Sequence, residues 1–173
     1  MFTARQFGQF NTWANERLYA ACEQVGEEAV HADRGAFFRS IFGTLNHILL
    51  VDILYMDRLL GRKSGFTGLD DTLCDSLQAL REAQVGQDAA YRQYLASLTD
   101  EVLTGDVTFT TLLANPQVWT VPMRVYLTNL FQHQAHHRGQ VHNMLSQCGI
   151  DAPPIGFVEY CVESGELPKP VPA

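Results

Sequence analysis

Four of the six histidines in this 173-residue chain lie within ten residues, from His133 to His142. In an α-helix, His133 and His137 are about 40° apart around the axis and about 6 Å apart along it, so both imidazoles can bind one ion. His142 lies about 180° from His133 at the same pitch, and His136 only borders the shared face. The spacing therefore indicates half of a transition-metal site.

Such a site needs at least a third protein ligand, and His47 is the strongest candidate. It lies in the most apolar predicted helix, where an unpaired neutral imidazole is unusual. Simpler interpretations stay open, because a pair spaced by four is usually solvated and a core histidine often bonds a carbonyl. A helical protein with coincidental histidines and no metal is thus an alternative. We expect His31 and His142 to be solvated.

Hydrophobic periodicity predicts the elements that must position these side chains. The second predicted helix is apolar around most of its circumference and is therefore expected to be buried on more than one side. Thr72 or Asp75 is the expected cap of the third helix, and Pro122 fits the first turn of the fourth. The predicted elements are helices over about 4–25, 36–60, 72–98 and 122–149, a hairpin over 102–111 and 117–121, and a short helical turn over 157–162.

This order predicts an all-α fold, in which four long helices form a bundle and a short β-hairpin precedes the last of them. The length suits a single domain over residues 1–173. Helices two and four can face each other across such a bundle, so a triad of His47, His133 and His137 is geometrically ordinary.

Composition excludes several classes of protein. With 12 basic and 19 acidic residues, the net charge of −7 opposes nucleic-acid backbones and anionic lipid. The four cysteines are widely spaced, which argues against a zinc ribbon or a disulfide framework. The most apolar stretch, 47–56, is interrupted by Asp52 and is too short to span a bilayer. We therefore expect a cytoplasmic protein with no nucleic-acid or membrane partner.

Three segments resemble motifs of the DinB/YfiT-like family of metal-binding proteins. Residues 133–140, His-Gln-Ala-His-His-Arg-Gly-Gln, match its His-x-x-x-His-Arg-Gly-Gln signature. Asn46-His47 with Asp52 resembles the motif of the family's first ligand, and residues 13–18, Trp-Ala-Asn-Glu-Arg-Leu, are similar to a segment of its first helix. These matches span both ends and the middle of the chain.

The resemblance implies a four-helix bundle of up-down-down-up topology, usually homodimeric, with one divalent ion, zinc or nickel in most members. By motif position its ligands are His47, His133 and His137. Some relatives are thiol S-transferases that use bacillithiol or mycothiol, and more distant ones are thiol-dependent isomerases. The resemblance therefore favours a metal-dependent thiol S-transferase that acts on a small electrophile, in stress or detoxification. The alternative is a non-enzymatic, metal-stabilised homodimer that binds a partner protein.

Three neutral ligands leave a divalent ion at least one open position, as in catalytic metal sites. A thiol in that position would be stabilised as the thiolate nucleophile, whereas water would become a hydroxide suited to hydrolysis. The residue pattern favours neither reaction, and the preference for thiol transfer comes from the resemblance.

Four further residues are candidates for supporting the site. Gln140 lies about 60° from His137 and can hydrogen-bond a ligand or a coordinated water, or simply occupy a polar edge. We hypothesise that Asp52 and Arg138 form a buried ion pair between helices two and four. Asn15 is expected to bond the neighbouring backbone.

No general acid or base accompanies the triad in the sequence, and Glu159 is the one carboxylate we nominate. Aromatic side chains can line an apolar pocket near the metal, although such rings more often belong to the core. The candidates for this pocket are Trp13, Tyr55, Trp119 and Phe157.

Overall fold

The computed structural model describes residues 3–112 and 114–171, which form six helices and one two-stranded antiparallel sheet. The mostly helical fold and the hairpin before the last long helix are confirmed. The helices are α1 (Ala4–His31), α2 (Ile41–Leu59), α3 (Leu77–Ser97), α4 (Asp100–Thr104), α5 (Met123–Gln147) and α6 (Phe157–Glu163), and the strands are β1 (Asp106–Thr110) and β2 (Val118–Pro122).

The helix expected to stop at Gly26 is interrupted there. Gly26 has a positive φ of 82° and a non-helical ψ of 164°, which kinks the chain, and a further helical segment then continues to His31. Val30, beyond the kink, is fully buried in the apolar core. Tertiary packing therefore holds a helical turn that local propensity alone would not keep.

The second helix begins at Ile41, five residues after the predicted start, because Ser40 caps it by accepting a hydrogen bond from the Gly43 amide (3.0 Å). The residues before it form a closed turn, here named the 34–39 turn. In this turn the Arg34 amide donates to the Arg39 carbonyl (2.7 Å), and the Arg39 amide donates to the Ala36 carbonyl (2.8 Å).

Two other boundaries also differ from expectation. The cap of α3 is Ser76, one residue after Asp75, and its hydroxyl accepts from the Ala79 amide (3.3 Å). Residues 100–104 form the short helix α4 where the hairpin was expected to begin. Thr99 caps this helix, and its first turn is acidic, which suits the positive end of a helix dipole.

Buried polar side chains occupy the middle of the core between two apolar clusters. α1 packs on α3 and α5, and α2 packs on α3 and α5. Along α3, Gln84 and Asp88 lie between Leu80 of one cluster and Tyr91 of the other. On α5 the two clusters come in the opposite order, and the buried polar residues again lie between them, after Leu130 and before Val141. The site therefore lies in the middle of the helical fold, where α1, α2, α3 and α5 each contribute buried polar side chains to the core.

The hairpin pairs Val107 with Val121 and Phe109 with Trp119. Val107 is buried, and the Phe109 ring lies 5.3 Å from that of Tyr126 on α5, so one face of the hairpin covers the core. Within the described residues, no helix is both long and apolar enough to cross a membrane.

Candidate metal centre

The structure brings His47 of α2 together with His133 and His137 of α5. One ligand nitrogen from each of the three residues lies within 4.8 Å of the others. The ring centroids are 4.4 to 5.1 Å apart, and the His47 Nε2 atom is 3.1 Å from His133 Nε2. These positions are the ones that the sequence predicts as ligands.

The outer nitrogens of two rings are held by hydrogen bonds that leave the inner nitrogens available. The Nδ1 atom of His47 is 2.7 Å from the Leu69 carbonyl oxygen, which can only accept, so Nδ1 carries the proton. The Nδ1 atom of His137 likewise donates to Gln140 Oε1 at 2.8 Å. Each neutral ring then presents Nε2 as a lone pair, the form that binds a metal ion.

Asn46 fastens the segment that holds His47. Its Nδ2 donates to the Asp71 carbonyl (2.7 Å), and its Oδ1 accepts from the Leu73 amide (2.8 Å). The loop after α2 is thereby fixed against the helix at the point where Leu69 bonds the imidazole. Asn46 therefore positions the loop whose Leu69 carbonyl orients His47. The sequence did not reveal this role of Asn46.

The third ring, His133, has a buried Nδ1 atom without a hydrogen-bond partner in the described chain. Two Nε2 lone pairs cannot face each other at 3.1 Å without a proton or a cation between them. In the metal-free protein His133 Nε2 therefore donates to His47 Nε2. With a cation bound, that proton would move to the unpartnered Nδ1 of the same ring. The three nitrogens suit borderline divalent ions such as zinc, nickel, cobalt or copper.

All three imidazoles are neutral at pH 7. Burial lowers the pKa of all three rings, to about 3 for His133 and to about 4 for His137. Repulsion from the neighbouring imidazoles lowers the pKa of His133 and His137 further. A metal ion therefore needs to displace few protons from them.

The other histidines lie outside this group. His136 is exposed, with its ring 4.8 Å from that of His137 and its Nε2 atom 3.2 Å from Gln140 Nε2. His31 stacks on Phe42 and lies 3.3 Å from Glu27, and His142 is half-buried.

Phe38 is the aromatic side chain against the cluster, and sequence reasoning missed it. Its ring stacks on His47 at 3.9 Å and meets His137 edge-on at 5.7 Å. The signal was the Phe37-Phe38 pair at the start of the second predicted helix.

The four predicted pocket aromatics are distributed elsewhere. Trp13 and Phe157 pack with Phe10 and Tyr160 where α6 crosses α1, and Tyr55 stacks on Tyr126. Trp119 is half-exposed on the hairpin. Glu159 is exposed on α6 and does not belong to the histidine group.

The hypothesis of a direct Asp52–Arg138 ion pair is wrong. Among the residues that the structure describes, no ion pair joins the two. The Asp52 carboxylate instead accepts from the carboxamides of Gln84 (3.0 Å) and Gln134, and these amides occupy both of its oxygens. Asp52 and Arg138 are buried and interact through space.

Asn15 also differs from expectation, because it bonds side chains of other helices and not the nearby backbone. Its Nδ2 donates to both oxygens of Asp88 at 3.1 Å, and its Oδ1 is 3.5 Å from Arg138 Nη1. Asn11 bonds the same two residues. The result is a buried polar network that joins α1, α2, α3 and α5 behind the histidines.

Burial shifts the pKa values of the ionisable groups in this network toward their neutral forms. Burial raises the pKa of Asp52 well above its ordinary value, with repulsion from Asp88 adding to the shift, and burial raises the pKa of Asp88 to about 6. The pKa of Arg138 is lowered to about 10 by burial, so the guanidinium stays charged at pH 7.

Comparisons with known proteins identify the family of this chain and support its helical fold. The model of the DinB family matches residues 1–165. Protein DinB of Bacillus subtilis strain 168 is 23% identical over 166 residues, which cover 88% of this chain and 90% of that protein. The crystal structure of a DinB-like protein from Bacillus cereus superposes with a TM-score of 0.64 at 19% identity, covering 84% of this chain and 91% of the other.

The structural likeness, at this low identity, concerns the fold. The family match extends over nearly the whole chain and includes the helices that carry His47, His133 and His137. The family resemblance read from the sequence motifs is confirmed: the chain belongs to the DinB family.

Proposed function

We propose that this protein binds one divalent transition-metal ion, zinc or nickel, through His47, His133 and His137, and acts as a metal-dependent thiol S-transferase. The observation that carries the proposal is the convergence of three neutral imidazoles whose ligand nitrogens lie within 4.8 Å of one another. Two of those rings are already held in the ligand tautomer by their outer hydrogen bonds.

Different residues orient the ligand rings and cover the cluster. The Leu69 carbonyl and the Gln140 carboxamide orient His47 and His137, and Phe38 covers one side of the cluster. When bound, a divalent ion with three neutral ligands supplies a position at which a small thiol is favoured in its thiolate form.

The reaction is a displacement. The thiol sulfur forms a bond to a carbon of the electrophile, the leaving group departs with the electron pair of the broken bond, and the thiol proton goes to solvent. The products are a thioether, the leaving group with its electron pair and a proton released to solvent, and nothing is oxidised or reduced. The motif resemblance supports a thiol over water as the incoming group.

The proposal includes the architecture that the resemblance implies. The four long helices, α1, α2, α3 and α5, would form an up-down-down-up bundle in one domain over residues 1–173. The protein would function as a cytoplasmic homodimer, without a nucleic-acid or membrane partner. Light scattering after size-exclusion chromatography measures the oligomeric state.

Elemental analysis of untagged protein tests the metal site. We expect about one ion per chain in the wild type, a nearly complete loss in His137→Ala, and retention in His142→Ala, which changes a histidine outside the cluster. A wild type without a bound ion, or His137→Ala protein that retains it, would contradict the site.

Cobalt substitution tests the reaction. A small thiol such as cysteine should shift the visible absorption of the cobalt-loaded wild type, and 1-chloro-2,4-dinitrobenzene should then be converted to a thioether. A spectrum indifferent to thiols would indicate a closed coordination sphere and favour the metal-stabilised, non-enzymatic alternative.

A further inference from the structure

A cavity of about 580 Å³ adjoins the histidine cluster between the 34–39 turn, the start of α2 and the segment 69–72. Its volume lies in the range of small-molecule sites. Phe37, Phe38 and Phe42 contribute three aromatic walls, and Arg39, Asp70 and Thr72 add polar groups. Neither the sequence motifs nor the proposed metal site accounts for this cavity.

The cavity is continuous with the cluster through two of its walls. Phe38 lines the cavity and also stacks on His47 at 3.9 Å. Leu69 lines it too, and its carbonyl accepts the hydrogen bond from His47 Nδ1. A molecule in the cavity therefore lies next to the Phe38 ring and the Leu69 backbone that hold the His47 imidazole.

The backbone of the 34–39 turn is built to present its two phenylalanines. Arg39 closes the turn with a left-handed φ of 66°, which is uncommon for a residue other than glycine. The turn rests on Gly43, where a Cβ atom would lie 2.2 Å from the Phe38 carbonyl oxygen. The close approach of turn and helix thus requires glycine at position 43.

Phe37 is 86% exposed, although it is one of the largest apolar side chains. Its ring meets Phe38 edge-on, with centroids 4.8 Å apart and an interplanar angle of 77°. Because most of the Phe37 side chain is exposed, its ring has surface free to stack on another flat ring. An exposed aromatic face at the wall of a cavity is typical of a ligand-binding position.

We propose that this cavity binds the flat aromatic part of the electrophile and that Phe37 determines the preference for aromatic over aliphatic substrates. The inference rests on the proposed function and names the substrate class for its site. The leaving group is carried by the aromatic ring: the thiol sulfur bonds to the ring carbon, the carbon–leaving-group bond breaks with its electron pair, and the thiol proton goes to solvent.

A binding experiment tests the cavity without relying on metal or turnover. The probe is 1,3-dinitrobenzene, a flat ring that has no leaving group, titrated by calorimetry into protein freed of metal with EDTA. Phe37→Ala should weaken binding about five- to ten-fold, as expected for the loss of one aromatic stacking partner. Val158→Ala, which shortens a similarly exposed apolar side chain on α6, should bind within about two-fold of the wild type. Equal affinity in Phe37→Ala, or no binding to the wild type, would overturn the proposal.

Kinetics then separate this inference from the proposed function. In metal-loaded Phe37→Ala, the KM for 1-chloro-2,4-dinitrobenzene should rise about five- to ten-fold while the KM for aliphatic iodoacetamide and the metal content stay unchanged. An equal rise for both electrophiles would overturn the aromatic preference. If the wild type turns over neither electrophile, the proposed function fails, whereas the 1,3-dinitrobenzene titration still decides whether the cavity binds aromatic rings.

Discussion

Asp52 of α2 and Asp88 of α3 are joined by a single carboxamide, because Gln84 Nε2 donates to Asp52 Oδ2 and to Asp88 Oδ1, both at 3.0 Å. Both carboxyl groups are buried, and burial raises the pKa of each. Arg138, on α5, reaches Asp88 through Asn11 and Asn15. Two buried carboxyl groups and the Arg138 guanidinium therefore lie behind the histidine cluster. Their burial has measurable consequences for the stability of the protein.

Asp88 should make the free energy of unfolding fall as pH rises. Its folded-state pKa of about 6 exceeds the ordinary value of 3.8, so the folded protein binds more protons than the unfolded chain between these values. At about 1.4 kcal/mol per pKa unit, this contribution is about 3 kcal/mol, fully present below pH 3.8 and lost by about pH 6. Relative to the wild type, Asp88→Asn should therefore gain about 3 kcal/mol between these two pH values.

Urea unfolding of both proteins at several pH values across this range measures the difference. Comparing variants is necessary because the buried histidines contribute with the opposite sign: their pKa values are lowered on folding, so their stabilisation is lost as pH falls. Asp151→Asn, at an exposed carboxylate, is the control. A constant stability difference between Asp88→Asn and wild type across the range would contradict the prediction.

Metal binding should release few protons even in mildly acidic solution. Three ordinary imidazoles would together release about two protons at about pH 6 when they bind a metal ion. Because the pKa values of His133 and His137 are lowered to about 3 and about 4 and that of His47 is also lowered, we expect less than one proton. Calorimetric titration of zinc in buffers of different ionisation enthalpy counts the protons, and a release of about two would show that the imidazoles are not held neutral.

Gln140 should raise metal affinity through its hydrogen bond to His137 Nδ1 (2.8 Å). Loss of an outer partner of a ligating histidine typically lowers metal affinity about 10–100-fold. Gln140→Ala should show a loss in that range in competition with a zinc chelator. Gln132→Ala changes an exposed glutamine on the same helix and should leave the affinity unchanged. If the two variants bind zinc equally well, the Gln140 bond has no such role.

Asp52→Ala should destabilise the protein by about 3–5 kcal/mol. The change leaves the Gln84 and Gln134 amides without an acceptor in a fully buried position and removes a carboxyl group near Arg138. Denaturant unfolding at pH 7 measures the loss. Asp75→Ala, at an exposed aspartate, should stay within about 0.5 kcal/mol of the wild type. A loss below about 1 kcal/mol for Asp52→Ala would indicate that the network contributes little.

Gly43→Ala and Gly86→Ala form a matched pair of helical substitutions with opposite expected signs. A methyl group at 43 would collide with the Phe38 carbonyl, so the 34–39 turn must move, at a cost of about 1–3 kcal/mol. A methyl group at 86 meets no atom within 4 Å and should stabilise α3 by up to about 1 kcal/mol. Thermal unfolding of both variants measures the difference. Equal effects on stability would contradict the close packing of the 34–39 turn on Gly43.

Much of the fold could be predicted from the sequence because helical periodicity is local. The apolar spacing on the four long helices, and the β-forming residues around Asn115-Pro116, lie within short windows of the chain. Boundaries were less predictable where tertiary contacts decided them. Gly26 interrupts the first helix as its residue type predicts, but the short helical segment after it, which buries Val30, was not predicted.

The sequence by itself determined which three histidines could meet, because a spacing of four residues puts two on one helix face and an apolar helix gives His47 few other uses. The tertiary structure alone decided what those rings touch. Phe38 and Leu69 lie outside the helices that carry the histidines, and Asp52 of α2 bonds Gln84 of α3 and Gln134 of α5. Many side chains of equal type could have filled these places. Such pairings depend on how helices are rotated and shifted against one another, which no short stretch of sequence encodes.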